Sequence, residues 1–183
     1  MLDYTAFSHS QIKSKIWLCE ELEKVIPDPA RIAILGGWYG MTSFMLFTRA
    51  NSNIEKVRSF DIDPKVESIA DLINNTWVCN HWRFKAITAD ANKTDLSEFN
   101  VIINTSAEHI IDKTWFTNIK DQLVVIQSTD QIHDDNEDHD YCFSIDQLKQ
   151  TYKMINFYEG ERVFSYPDKI FSRFMLIGRK FGY

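Results

Sequence analysis

Two stretches carry the densest chemical information in this chain: Arg31-Ile32-Ala33-Ile34-Leu35-Gly36-Gly37-Trp38-Tyr39-Gly40 and, further on, Ser59-Phe60-Asp61-Ile62-Asp63-Pro64. The first reads as a buried strand and a glycine turn opening a helix. The second reads as another buried strand ending in carboxylates. That arrangement builds a nucleotide-type cofactor site at the edge of a parallel sheet. A dinucleotide fingerprint requires Gly-x-Gly-x-x-Gly, so that a helix N-terminus can approach a pyrophosphate. Here the glycines are Gly36, Gly37 and Gly40, and bulky Trp38 and Tyr39 stand where a phosphate needs room. The turn therefore suits a cofactor without phosphates, and S-adenosylmethionine (SAM), made of a ribose, an adenine and an amino-acid tail, is the expected one.

Each residue of these stretches has an expected task. Asp61 ends its strand where a topological switch leaves a crevice, and an ionised carboxylate accepts hydrogen bonds from the vicinal hydroxyls of a ribose. Asp63 is better placed to cap the helix opened by Pro64. Gly36 and Gly37 are expected to let the backbone pass close under the cofactor, and Gly40 to bring the next helix near the strand. Trp38 and Tyr39 are expected to wall the methionine portion or to stack on the N-terminal helix.

The elements that must hold these residues alternate along the chain. Helices are expected over 8–25, 39–50, 64–76, 110–120 and 143–151, from capping residues and apolar spacing near the helical period. The first repeats Ile12, Ile16, Leu18-Cys19 and Leu22. Strands are expected over 31–35, 56–61, 81–88, 98–105, 122–128, 154–158 and 171–180. Residues 81–88 alternate Trp82, Phe84 and Ala86 against polar partners. The last two strands are joined by a turn region with Gly160 and Pro167 and no helix, so they are expected to form an antiparallel hairpin at a sheet edge. The fold class is α/β: a Rossmann-like three-layer sandwich whose seven-stranded, mostly parallel sheet has an antiparallel last strand. Residues 1–183 are expected to form a single domain, with 1–29 a helical extension.

Composition bounds the partners. A chain of 183 residues with 44% hydrophobic and 14% aromatic residues can bury one core. No apolar run approaches the roughly 20 residues of a membrane span, and the N-terminus lacks a signal-peptide pattern. Cys19, Cys79 and Cys142 are odd in number and far apart, which fits incidental thiols in a reducing cytoplasm rather than disulfides or a metal site. A net charge of −6 disfavours a broad nucleic-acid surface.

The order of elements and three spaced motifs resemble class I SAM-dependent methyltransferases, over about residues 31–180. The first motif resembles Ile34-Leu35-Gly36-Gly37-Trp38-Tyr39-Gly40, the acidic second-strand end Phe60-Asp61-Ile62-Asp63, and the adenine-side acidic element Thr88-Ala89-Asp90-Ala91. The resemblance implies SAM as cofactor, with Gly36, Gly37, Trp38, Tyr39, Gly40, Asp61, Ile62, Asp90, Ala91 and Asn104 around it. Asp90 would accept from the adenine amine, or cap a turn.

In such a fold the chemistry comes from the fourth-strand end, here Ile103-Asn104-Thr105-Ser106-Ala107-Glu108-His109. Members that methylate base amino groups carry an Asn/Asp-Pro-Pro-aromatic tetrad there, and this chain has Asn-Thr-Ser-Ala instead. Asn104 is expected to orient a nucleophile through its amide oxygen, and Glu108 or His109 to take a proton. Ser106 is a further catalytic candidate, or the N-cap of the 110–120 helix with Glu108 in its first turn. The acidic loop Asp130–Asp140 reads as a solvated loop rather than a metal site, although His139 could serve as a base. On the N-terminal helix, Ser8, Gln11, Ser14 and Lys15 share one face. That face either meets the cofactor's carboxylate through Gln11 or Lys15, or is solvated opposite Ile12 and Ile16. The expected function is methyl transfer to a small molecule or a docked protein, and a homo-oligomer is compatible with so small a chain. Aminopropyl transfer, SAM cleavage and a non-catalytic binding module remain as alternatives.

Overall fold

Buried runs dominate the centre of the sequence and build one sheet. In the computed structural model, which describes residues 2–49, 53–132 and 138–180, its strands are β1 (Ala30–Leu35), β2 (Ile54–Asp61), β3 (Phe84–Thr88), β4 (Val101–Asn104), β5 (Leu123–Thr129), β6 (Met154–Ser165) and β7 (Ile170–Lys180). Their spatial order is β3-β2-β1-β4-β5-β7-β6. The first five pair in parallel, and β7 runs antiparallel to both β5 and β6. The order reverses at β1, which lies between β2 and β4, so the chain leaves its carboxyl end toward opposite sides and a crevice opens there.

Helices cover both faces: α1 (His9–Leu22), α2 (Met41–Thr48), α3 (Pro64–Ile73), α4 (Asn75–Cys79), α5 (Thr114–Asn118) and α6 (Ile145–Thr151). Alternate residues of each strand serve different cores. Ile32, Ile34, Val101, Ile103, Val125 and Ile177 pack with Trp17, Leu18 and Leu22 of α1 and Leu46 of α2. Ala33, Leu35, Ile102, Val124 and Leu176 pack on the opposite face with Trp115 and Phe116 of α5 and Leu148 of α6. The α/β architecture with its reversed last strand is the expected one. None of the helices among the described residues is long and apolar enough to cross a membrane. The three cysteines are free thiols, and burial pushes that of Cys19 up to about 12.

Several boundaries differ from expectation, each for a local reason. The first helix stops at Leu22, and a short 3-10 turn (Tyr4–Phe7) precedes it. Its buried face is not the isoleucine face: Ile16 is exposed, while Ser10, Ser14 and Lys15 are buried beside Trp17 and Leu18. The second helix begins only at Met41, because Trp38 and Gly40 both have positive φ. Asn74 splits the expected 64–76 helix into α3 and α4. The third strand begins at Phe84, since His81 and Trp82 have φ of 52° and 55°, and Trp82 is exposed rather than inward. The fourth strand is only Val101–Asn104. The 110–120 helix shrinks to α5, started by Asp112, which accepts from the Thr114 N–H and hydroxyl. β6 is far longer than expected: Gly160 lies inside it, and the turn to β7 closes through a Tyr166 N–H to Lys169 C=O bond. His133 and its neighbours in the acidic loop, residues 133–137, lie outside the described residues, as does Ala50.

Gly40 shows what the glycine turn requires. Its φ is +71°, and a Cβ there would stand 2.6 Å from Asn74 Nδ2 and 3.3 Å from both Ala70 Cβ and Phe84 Cζ. Fully buried Asn74 donates to the Gly40 carbonyl at 3.1 Å and to Ala70 O at 3.0 Å. The glycine thus lets α2 begin against the end of α3, rather than approach its own strand. Replacing Gly40 with Ala combines left-handed strain with overpacking, so a loss of about 2–3 kcal/mol is expected. Urea unfolding measures it, and a loss below about 0.5 kcal/mol, the range of an unremarkable surface change, would contradict the close approach.

Candidate active site

The crevice at the carboxyl ends of β1 and β2 is organised by Asp61. Its Oδ2 accepts the Trp38 N–H at 2.8 Å and its Oδ1 the Asp63 N–H at 3.1 Å. Trp38 therefore holds its φ of 48° against a carboxylate. Each carboxylate oxygen carries two lone pairs, so Asp61 can accept two further donors. Asp63 accepts the Lys65 N–H at 2.9 Å and caps α3, as its position before Pro64 predicts.

The glycines of the turn make room for protein as well as for the cavity. A Cβ on Gly36 would meet Ser106 Cβ at 2.8 Å, and one on Gly37 would meet Ser59 Oγ at 1.9 Å. Both residues line the cavity, but the space their missing side chains leave is filled by protein. Tyr39 and Gly40 do not line it. Tyr39 is buried against Ala6 and Val66, its hydroxyl accepts the Asp3 N–H at 3.0 Å, and its ring stacks on Phe7. Of the two expectations for the aromatic pair, Trp38 forms cavity wall and Tyr39 anchors the segment before α1.

After β3, Asp90 lines the cavity together with Ala91, and Ile62 borders it as an exposed apolar side chain. Asp90 also accepts the Asn92 N–H at 2.9 Å, starting a 3-10 turn, and lies 3.2 Å from Lys93 Nζ.

The segment after β4 brings together only part of the expected cluster. Asn104 is fully buried, and its Oδ1 accepts the Ser106 N–H at 2.9 Å. Its amide oxygen is thus committed to its own turn, and the side chain does not line the cavity. Ser106 lines the cavity but is no helix cap: its hydroxyl donates to Gly36 O at 3.2 Å, tying this segment to the glycine turn. Glu108 and His109 both line the cavity. Glu108 is 4% exposed with Oε2 lacking a partner, and burial raises its carboxyl above the usual range although Arg173 opposes the shift. His109 Nε2 lies 4.0 Å from Glu108 Oε1, and its ring meets that of His139 edge-on at 4.5 Å.

The opposite wall comes from α1 and β7. Ser14 on α1 exchanges bonds with Gln127 on β5: its hydroxyl donates to Gln127 Oε1, and Gln127 Nε2 donates to Ser14 O, both at 3.2 Å. This docking turns Lys15 and Gln11 into the cavity, with Lys15 Nζ donating to Gln11 Oε1 at 2.7 Å. Burial lowers the Lys15 amine to about 7, with Arg173 lowering it further and Glu108 opposing. Arg173, opposite Thr129 on β5, is 4% exposed and was not singled out from sequence. The available signal was an arginine inside the apolar run Phe171-Ser-Arg-Phe-Met-Leu-Ile. The whole cavity measures about 940 Å³, near the upper end of small-molecule sites. A smaller one of about 340 Å³, beside His9 and Arg162, shares only Tyr166 with it.

Neither a protein-family model nor a curated protein sequence matches the chain. Solved structures do. The N-methyltransferase NodS from Bradyrhizobium japonicum, solved with S-adenosyl-L-homocysteine, has a TM-score of 0.66 at 11% identity, over 93% of this chain and 88% of its own. Magnesium protoporphyrin IX methyltransferase from Synechocystis, solved with SAM, has 0.63 at 10% identity, over 91% and 78%. A SAM-dependent methyltransferase from Aquifex aeolicus has 0.59 at 12% identity, over 99% and 100%. At these identities the likeness concerns architecture, and the fold of this chain is the class I methyltransferase fold.

Proposed function

We propose that this protein is a SAM-dependent methyltransferase. The observation that carries the reading is the polarity of the cavity: hydrogen-bond acceptors, Asp61 and Asp90, at the β2–β3 end, and the Lys15–Gln11 pair on α1. SAM has the matching groups, with ribose hydroxyls and an adenine amine as donors and a carboxylate on its tail. The residues therefore fit this cofactor. Asp61 uses its spare lone pairs for the ribose hydroxyls and Asp90 for the adenine amine. Ile62 and Ala91 border the adenine, Trp38 walls the middle, and Lys15 with Gln11 receives the carboxylate. The same fold in proteins solved with SAM or its demethylated product supports the choice.

Bound there, SAM supplies a methyl carbon already made electrophilic by its sulfonium. The chain's own residues then need only align an acceptor at about 3–3.5 Å, exclude water and remove a proton. Glu108 suits the last task, because it lines the cavity, its Oε2 is without a partner and burial raises its carboxyl above the usual range. His109, beside it and exposed to solvent, passes the proton outward. Ser106 and Asn104 position this segment against the glycine turn.

The reading is tested by calorimetric titration with SAM and S-adenosylhomocysteine. Losing two hydrogen bonds to a charged acceptor should weaken both by about 10–100-fold in Asp61→Ala. A wild-type protein that binds neither ligand sinks the proposal. Product analysis separates methyl transfer, which leaves S-adenosylhomocysteine, from cleavage to methylthioadenosine.

The buried lysine predicts a pH effect. Folding lowers Lys15 from 10.5 to about 7, so between these values the unfolded chain binds more protons than the folded one. Stability therefore rises with pH across that window, and the penalty of burying the charge is greatest below it. Relative to Lys15→Met, wild-type unfolding free energy should increase by up to about 1.4 kcal/mol per pH unit between pH 7 and 9. Parallel urea unfolding of both proteins measures this, and a constant difference would show that Lys15 keeps its proton on folding.

A further inference from the structure

Two buried charges in the cavity have no use in holding the cofactor as proposed, and each keeps a buried polar atom without a hydrogen-bond partner. Arg173 is 4% exposed, its Nε–H has no acceptor, and among the described residues no carboxylate lies within ion-pairing distance of it. Its described contact is with the ring of Phe171, at 6.0 Å. Glu108 is equally buried, and its Oε2 is also without a partner. Both side chains line the cavity. Buried ions are normally paired, because desolvation without compensation is strongly unfavourable. A guanidinium and a carboxylate that line one cavity without an ion pair between them form the complement of a zwitterion.

We infer that the methyl acceptor is an amino acid, with Arg173 gripping its carboxylate and Glu108 facing its amine. The inference rests on the methyltransferase reading and names the substrate class for the same site. The planar fork of an arginine matches a carboxylate bidentately, which a lysine cannot do. The cofactor's own carboxylate is assigned to the Lys15–Gln11 pair, which leaves this fork for a second ligand. Both groups are nearly closed to bulk solvent within the cavity, a setting that a free amino acid is small enough to enter whole.

The test uses the wild-type protein saturated with S-adenosylhomocysteine and titrated calorimetrically with the common amino acids and β-alanine, each beside its amide. At least one amino acid should bind, and its amide, which keeps the amine but lacks the carboxylate, should bind at least about tenfold more weakly, as expected for losing a charge-assisted bidentate pair. In Arg173→Gln the same amino acid should weaken by at least about tenfold while S-adenosylhomocysteine stays within about twofold. Arg173→Lys, which keeps the buried charge without the fork, should fall between; the amide comparison needs no variant and stands if either variant fails to fold. Amino acids and amides that bind alike, or no amino acid binding at all to the loaded protein, overturn the inference and leave the cofactor reading intact. An Arg173→Gln protein that loses S-adenosylhomocysteine in the same proportion assigns the fork to the cofactor instead. Failure of the wild type to bind S-adenosylhomocysteine removes both readings together.

Discussion

One carboxylate, that of Asp61, fixes the geometry on which the rest of the site depends. Its side chain takes the Trp38 N–H from the turn after β1 and the Asp63 N–H from the turn after β2, while its backbone carbonyl takes the Ala89 N–H from the chain leaving β3. Three strand ends are thereby referenced to one residue. The Gly37 N–H to Phe60 O bond, 3.1 Å long, adds a fourth tie in the same place. A parallel sheet can supply such a point only at its carboxyl edge, where successive crossovers diverge. The unusual backbone of Trp38 follows from this constraint: the turn must bring an N–H onto Asp61 and still leave room for α2 to start at Met41. Because the hydrogen bonds use only part of the carboxylate's acceptor capacity, the residue that shapes the crevice still faces it chemically.

The parts of the fold legible in the sequence are those where one physical signal dominates. β1 and β5 are buried on both faces and read as apolar runs, so their existence and order are plain. The cap at Asp63 was equally plain, because Asp before Pro satisfies two rules at once. β6 was truncated in the reading because it is an edge strand with alternating half-exposed residues, and Gly160 within it carries the signature of a turn. The 110–120 helix is shorter than expected because Asp112 starts it later through bonds invisible to spacing.

The site's acceptors are legible in the sequence; of its cations, Lys15 stands there as one of two readings of its helix face, and Arg173 goes unmarked. Asp61 and Asp90 sit at strand ends, so sequence position alone marks them. Lys15 and Arg173 become interior only through contacts of long sequence separation. α1 turns its polar face inward because Ser14 finds Gln127 across more than a hundred residues of chain, and Trp17 and Leu18 bury on the same side. Periodicity leaves that face open between cofactor and solvent, since it weighs residue types and not partners. Arg173 lies in an apolar strand whose neighbours disguise it.

This division also explains why the two ends of the cavity differ electrostatically. The β2–β3 end lies open, with Ile62 exposed and Asp61 and Asp90 half-buried, so its carboxylates remain hydrated until a ligand displaces water. The β4–β7 end is closed over by α1, and there Lys15, Glu108 and Arg173 are stripped of solvent. Charges in a dry environment act on a ligand far more strongly than the same charges in water. Binding at the open end can therefore be selective through hydrogen-bond geometry alone. At the closed end the charges of Lys15, Glu108 and Arg173 would discriminate, and a molecule without charged groups of its own would gain nothing from entering. The lowered Lys15 amine and the raised Glu108 carboxyl are the cost of that arrangement, visible before any ligand arrives. A fold retains such uncompensated burial when the compensation is supplied by what binds.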